Sequence, residues 1–305
     1  MVPEQPIEDD NPRTTKSGEN SLPIVDGENG IMSRVYGVVG AEGHSCKSCV
    51  SNAEYNGGDP SCHNSAVGEY DAAGNLDREG CGYVCCKIEP DTSKGAGNSI
   101  ILEIGELDSL KNQGHLTVIG QHKGVPLVQC TTGRCDGEVD VKPLDCKRYP
   151  FLPIIEGDTL RFQHGVRSKC PMPEIDRILH LAYVITSVLK SLKLNPASRN
   201  TFQHGHEEMV GYEDFDVGFL ANKGLDEIEQ ESDIEIAAQI ERERVRIELF
   251  APPELDKQEL LDKYEEHLVA MKRMNLLNFR VLKEAGVVFT EEGIDLKAVN
   301  FDLIS

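Results

Sequence analysis

The sequence predicts an α+β fold, a loop-rich, metal-stabilised cysteine-cluster domain with a helical C-terminal extension. Three observations carry that expectation. All ten cysteines of the 305 residues fall between positions 46 and 170. Short β-branched runs alternate with turn residues between 99 and 128. Beyond residue 173, long stretches repeat their apolar residues every three or four positions, which is the period of a helix.

Charge divides the chain into the same parts. It carries 52 acidic against 31 basic residues, a net −21. Residues 1–30 hold 7 acids and 2 bases, residues 201–305 hold 25 and 11, and the stretch 31–200 holds 20 and 18. The acidity therefore belongs to the ends, and the cysteine-bearing middle is nearly neutral. The expected organisation is a disordered acidic tail over 1–30, a cysteine-rich metal-binding domain over 31–210 and an acidic helical extension over 211–305. The tail is polar and without periodicity, too poor in apolar residues to offset its chain entropy.

A chain of this charge repels a phosphate backbone or an anionic bilayer, so neither nucleic acid nor membrane is expected as a partner. Another protein, bound through the acidic C-terminal region, is. No apolar run approaches the ~18–20 residues that span a bilayer. The first thirty residues lack a basic segment followed by an apolar one, so no secretory signal is expected and the predicted location is cytoplasmic.

Taken in order, the elements begin after the Gly-rich loops of 36–97. The run Ser99-Ile100-Ile101-Leu102-Glu103-Ile104 reads as a strand or the entry to a helix, and 106–111 as a short helix. Residues 116–119 and 125–128 read as strands around a turn at 120–124. Over 174–194 the apolar positions Ile175, Ile178, Leu179, Ala182, Ile185, Leu189 and Leu192 recur mostly at spacings of three and four. Pro173 and Pro196 bracket them, which predicts a helix between the two prolines. Residues 226–250 form an acidic helix broken by Pro252 and Pro253. Residues 254–277 form an amphipathic one with Leu260, Leu261, Tyr264 and Leu268 on one side. A short module over 279–305 follows.

Ten thiols in a cytosolic chain are more economically metal or redox ligands than disulfides. Seven of them, Cys81, Cys85, Cys86, Cys130, Cys135, Cys146 and Cys170, form four groups separated by strand and turn material. Loops that deliver thiolates from several directions suit a tetrahedral metal or the corners of an iron–sulfur cluster. Successive side chains diverge, so the adjacent pair Cys85-Cys86 points to a multi-metal cluster, to two sites, or to one spectator thiol. Upstream, Cys46-Lys47-Ser48-Cys49 with Cys62-His63 has the make-up of a Cys₃His zinc knuckle. Buried thiols that bind nothing are the bland alternative, since Cys is among the most buried residues.

Cys146 lies in Lys142-Pro143-Leu144-Asp145-Cys146-Lys147-Arg148-Tyr149-Pro150-Phe151. The two prolines stiffen its flanks. Tyr149 and Phe151 are expected to cover thiolates with apolar surface, and Lys147 and Arg148 to offset their charge, as surrounding groups do at metal sites. This run, with Cys85-Cys86, the segment 101–110, Cys130, Cys135 and Cys170-Pro171 in that order, resembles the YkgJ-type cysteine-cluster proteins, a zinc- or iron-chelating family. The resemblance covers about residues 78–173. Lys142 stands where the family usually has Arg, and Cys81 stands four residues before Cys85 rather than in a CxxC feeding the pair. The resemblance implies a metal-binding domain holding an iron–sulfur cluster or zinc, with relatives linked to flagellin lysine N-methylation. It therefore leaves open an iron–sulfur oxidoreductase or a protein-modifying, methylase-like enzyme. A different class of function is a zinc-stapled interaction module without catalysis, whose acidic helices bind a partner.

Phe162-Gln163-His164-Gly165 recurs as Phe202-Gln203-His204-Gly205. On a strand, His204 and His206 share a face and can chelate together with Glu207 or Glu208; His164 is the better candidate to join a cysteine set. Walker, strand–GxGxxG–helix, HExxH and GxSxG patterns are absent, so nucleotide and hydrolase chemistry gains no support.

Overall fold

A computed structural model describes residues 69–70, 76–78, 100–110, 116–130, 143–165, 174–209, 211–251, 253 and 256–304. The tail predicted over 1–30 and most of the cysteine-bearing loops lie outside the described residues. Helix and sheet are mixed, as expected of an α+β protein.

A small hairpin, β1 (Glu69–Tyr70) and β2 (Leu76–Arg78), comes first. Strands β3 (Ile100–Ile101), β4 (Leu116–His122) and β5 (Val125–Cys130) form an antiparallel sheet in the order β3-β5-β4. The turn between β4 and β5 is two residues, Lys123 and Gly124, both at positive φ. Helix α1 (Glu106–Leu110) follows β3, and the one-turn helix α2 (Leu144–Arg148) follows β5 in the chain.

The second sheet begins with the hairpin β6 (Phe151–Glu156) and β7 (Thr159–Gly165). Phe151 to Ile155 are all buried, so this strand shows no alternation that a period-two reading of the sequence could catch. Helix α3 (Glu174–Leu194) ends where the bracketing prolines predicted and is buried on nearly every side. Helix α4 (Arg199–His204) runs into a 3-10 turn at Gly205–Glu208, and β8 (Tyr212–Phe215) then pairs with β7. Helices α5 (Leu225–Phe250) and α6 (Lys257–Glu284) form a hairpin. Asp256 caps α6 by accepting from the Gln258 and Glu259 N–H groups. The helix runs past the predicted end at 277 because Phe279 and Leu282 continue its buried stripe, and it stops before Gly286 at φ +72°.

Strands β9 (Phe289–Thr290) and β10 (Gly293–Asp295) return to the second sheet, where Ile294 lies opposite Leu160 of β7. One core joins Phe151, Leu160 and Phe162 of that sheet to Leu179, Ile185 and Leu189 of α3, and to Leu276, Phe279 and Ile294. Strands β6 and β7 thus share one sheet with β8, β9 and β10. A smaller cluster of Ile101, Val125, Leu127 and Leu152 ties the three-stranded sheet to β6.

Candidate metal centre

Among the eleven candidate ligands, Cys46, Cys49, Cys62, His63, Cys81, Cys85, Cys86, Cys135 and Cys170 lie outside the described residues. Cys130 and Cys146 lie within them. Cys130 closes β5, opposite Leu116 of β4. Cys146, at the middle of α2, is half-buried and packs on Ile100, Leu102 and Val128, as do Leu107 and Leu116. The end of β5 and the α2 turn thus meet at one small core. Among the described residues alone, no three His, Cys, Asp or Glu side chains are placed to hold a metal ion.

A five-residue helix cannot sustain itself, because nucleation costs more than one turn of hydrogen bonds returns. Bonds from outside hold α2. The Leu144 N–H donates to Glu106 Oε1 at 2.9 Å, and the Ile101 N–H donates to Asp145 Oδ2 at 3.0 Å. Glu106 Oε2 also accepts from the Glu103 N–H at 2.9 Å, so one carboxylate fastens both α2 and the strand exit.

Arg148 anchors the other end. It is buried, with Nη1 2.5 Å from Glu103 Oε1, and its Nε donates to Ser187 Oγ at 2.8 Å. Its guanidinium carbon lies 5.2 Å from the centre of the Phe202 ring, a cation–π contact. Tyr149-Pro150 is a cis peptide, and His180 Nε2–H donates to the Tyr149 carbonyl at 2.9 Å, which fixes that ring's tautomer.

Within the described residues, Arg148 is engaged by Glu103 and the α3 hydroxyls. Phe151 stacks on His180 and meets His164 and Phe215 at an angle in the main core, while Cys146 belongs to the smaller one.

Three carboxylates, Glu103, Glu106 and Asp145, share Arg148 as their cation. Burial pushes Asp145 up to about 6, against the Ile101 N–H bond and Arg148, which pull it down. Burial likewise raises Glu106, and its two backbone bonds oppose the shift. A small cavity opens beside them, lined by Glu103, Asp145, Arg148, Thr201 and His206 among others. Thr201 Oγ1 and His206 Nδ1 have no hydrogen-bond partner among the described residues. These carboxylates and the cavity escaped the sequence reading. The acid pair at 103 and 106, placed one turn apart before a Pro-Leu-Asp-Cys turn, is the signal that points to them.

The repeated Phe-Gln-His-Gly is not a structural repeat, since the first copy lies in β7 and the second ends α4. His164 packs against the rings of Phe151 and Phe215, at 5.7 and 5.9 Å, and burial with nearby Arg177 lowers its pKa. His204 and His206 lie on a helix end and a 3-10 turn, not on a strand. His204 Nδ1 meets Glu207 Oε1 at 3.0 Å, while His122 Nε2 meets Oε2 at 2.7 Å. Lys123 Nζ also donates to this carboxylate, at 2.8 Å. Lys123, then His122 and His204, hold Glu207 well below the usual carboxylate range. This group clasps the β4–β5 turn to α4, helped by Asn200 Nδ2, which donates to the Lys123 carbonyl at 3.0 Å. No family model, curated protein or solved structure matches this chain.

Proposed function

We propose that the chain is a metal-binding protein that holds an iron–sulfur cluster or zinc through Cys81, Cys85, Cys86, Cys130, Cys135, Cys146 and Cys170. Cys46, Cys49, Cys62 and His63 are proposed as a second set. The observation that carries this reading is the seating of Cys146. A one-turn helix too short to stand alone is fastened by Glu106, Asp145 and Arg148, and its thiol rests on the same small core as the strand end bearing Cys130. Rigid placement of a thiol by neighbouring hydrogen bonds is what a ligand needs and what a spectator thiol does not. The resemblance to the YkgJ-type proteins points the same way.

A bound cluster supplies one-electron chemistry, and zinc supplies cross-linking or Lewis acidity. The chain's own residues hold the turn, and the buried carboxylates keep a polar cavity behind it. The reading extends to a redox or protein-modifying reaction at this site.

Anaerobic purification followed by an absorption spectrum and elemental analysis tests it. Broad visible absorption with iron supports the cluster, colourless protein with stoichiometric zinc supports the zinc form, and protein with neither metal refutes both. Cys146→Ala is expected to lower the bound metal while α3, α5 and α6 stay folded by circular dichroism. Unchanged metal content in that variant removes Cys146 from the site.

A second reading, a zinc-stapled interaction module, draws on the outward faces of α5 and α6, where Asp226, Glu227, Asp233, Glu241, Glu265 and Glu266 are exposed. It expects a basic protein partner whose binding weakens steeply with salt and survives substitutions at Cys146.

A further inference from the structure

Three cations meet at one place on a chain whose net charge is −21. A cavity of about 290 Å³ opens where the β6–β7 turn, the end of α3, the α3–α4 junction and the segment after β10 come together. Its polar lining is Lys193, Arg199, Lys297 and, as the one carboxylate among the described residues, Asp158. Leu192, Pro196, Leu296 and Phe301 supply an apolar wall. Backbone bonds hold these parts together: the Leu296 N–H donates to the Asp158 carbonyl at 2.9 Å, and the Ser198 N–H to that of Asn195 at 2.8 Å. Each cation is already fixed by protein oxygens. Arg199 Nη2 donates to Asp158 Oδ1 at 2.8 Å and to the Gly157 carbonyl. Lys297 Nζ lies 2.6 Å from Asp158 Oδ2. Lys193 Nζ donates to the Ile304 carbonyl at 2.7 Å and to that of Asp302 at 3.3 Å.

We infer that this cavity binds a phosphate monoester of a small apolar group, with the phosphate on Lys193, Arg199 and Lys297 and the apolar body on Leu192, Leu296 and Phe301. The charges decide the class of ligand. Asp158 balances one of the three cations, and Asp295, close enough to act on Lys297, is not in the lining. What remains matches a phosphate monoester, which carries close to −2 at neutral pH, better than a single carboxylate. An ammonium offers three donors and a guanidinium five, and the bonds named here engage only part of each set. Arg199 therefore brings a planar fork suited to phosphate oxygens, and Asp158 holds that fork beside Lys297 before any ligand arrives. Fixing the cations in advance lowers the ordering cost of binding. The apolar wall adds affinity only for an ester that carries an apolar body, which separates the site from one for the bare ion. None of these residues is among the proposed metal ligands.

Titration of phenyl phosphate into the full chain at neutral pH and low salt, read by amide NMR, tests the proposal. Saturable shifts are expected at the amides of 158, 193, 199 and 296–301, complete by about 10 mM. Inorganic phosphate is expected to move the same amides at least about threefold more weakly, and benzoate at least about threefold more weakly as well. Arg199→Gln and Lys297→Gln are each expected to weaken phenyl phosphate at least roughly fivefold. Arg244→Gln removes the same charge from an exposed pair on α5 and is expected to leave binding within about twofold. No saturable shift at these amides overturns the proposal, as does unchanged affinity in both cavity variants. Benzoate bound as tightly as phenyl phosphate overturns the choice of phosphate, and inorganic phosphate bound as tightly overturns the apolar body. If Arg199→Gln does not fold, Lys297→Gln decides, since that side chain is largely exposed.

Discussion

Replacing Arg148 by Met tests how the turn that carries Cys146 is held. Met keeps the unbranched stem and most of the volume, but withdraws the charge from Glu103, which is only 5 % exposed. Breaking a buried pair by removing one partner costs about 3–5 kcal/mol. Glu106 and Asp145 lose the same cation and become easier to protonate, so the loss is expected to be smaller at pH 5 than at pH 7. Glu103→Gln in the Arg148→Met background removes the stranded charge and is expected to recover at least about 2 kcal/mol at pH 7. Urea unfolding of the parent, both singles and the double at pH 7 and pH 5 measures these differences. A loss under about 1 kcal/mol at pH 7 in Arg148→Met, or a double variant no more stable than that single, refutes the reasoning.

Other predictions are as direct. Asp145 is raised to about 6 in the fold from an ordinary 3.8, so the folded chain binds the extra proton and gains stability as pH falls through 6, with the gain complete below 3.8. Asp145→Asn retains an acceptor for the Ile101 N–H and removes the charge. It is expected to stabilise the protein above pH 6 by up to about 3 kcal/mol and to flatten urea midpoints between pH 4 and 6; an unchanged profile counts against the assignment. Gly293 holds φ +119°, and a Cβ there collides with the Leu160 carbonyl oxygen. Gly293→Ala is expected to cost more than about 2 kcal/mol, read as a fall in Tm of at least roughly 4 °C. Glu207→Gln weakens the clasp on the β4–β5 turn, and faster amide exchange at 121–125 is the expected result, with global stability little changed.

Local signals were read well where they were strong. The α3 stripe with its bracketing prolines gave both ends of the helix, and the Gly-bearing turn gave the β4–β5 hairpin. Pairings that depend on distant residues left no local trace. Strand β6 is buried on both faces and so lacks a period, and β10 joins the sheet through a partner more than a hundred residues away. The pairing of Arg148 with Glu103 joins residues far apart in sequence and leaves no local signal. Nothing local marks Asp176 and Lys272 as buried; the packing of α3, α5 and α6 puts them there. At the candidate centre, the cysteine spacing made thiolates visible as a set, whereas the carboxylates that seat Cys146 come from three separate elements.

Strand β7 has β6 along one side, and along the other β8 beside its second half and β10 beside its first. Those neighbours leave the ribosome at very different times. The β6–β7 hairpin is synthesised at mid-chain, β8 after some fifty more residues, and β10 only after the whole α5–α6 hairpin. For most of the translation that follows, the Thr159–Leu160 end of β7 therefore has an open edge, the kind of surface that pairs with another chain. A message truncated after α6 makes a protein that keeps its helices and leaves that edge permanently bare. Aggregation during synthesis, rather than loss of helix, is how such a truncation is expected to show itself.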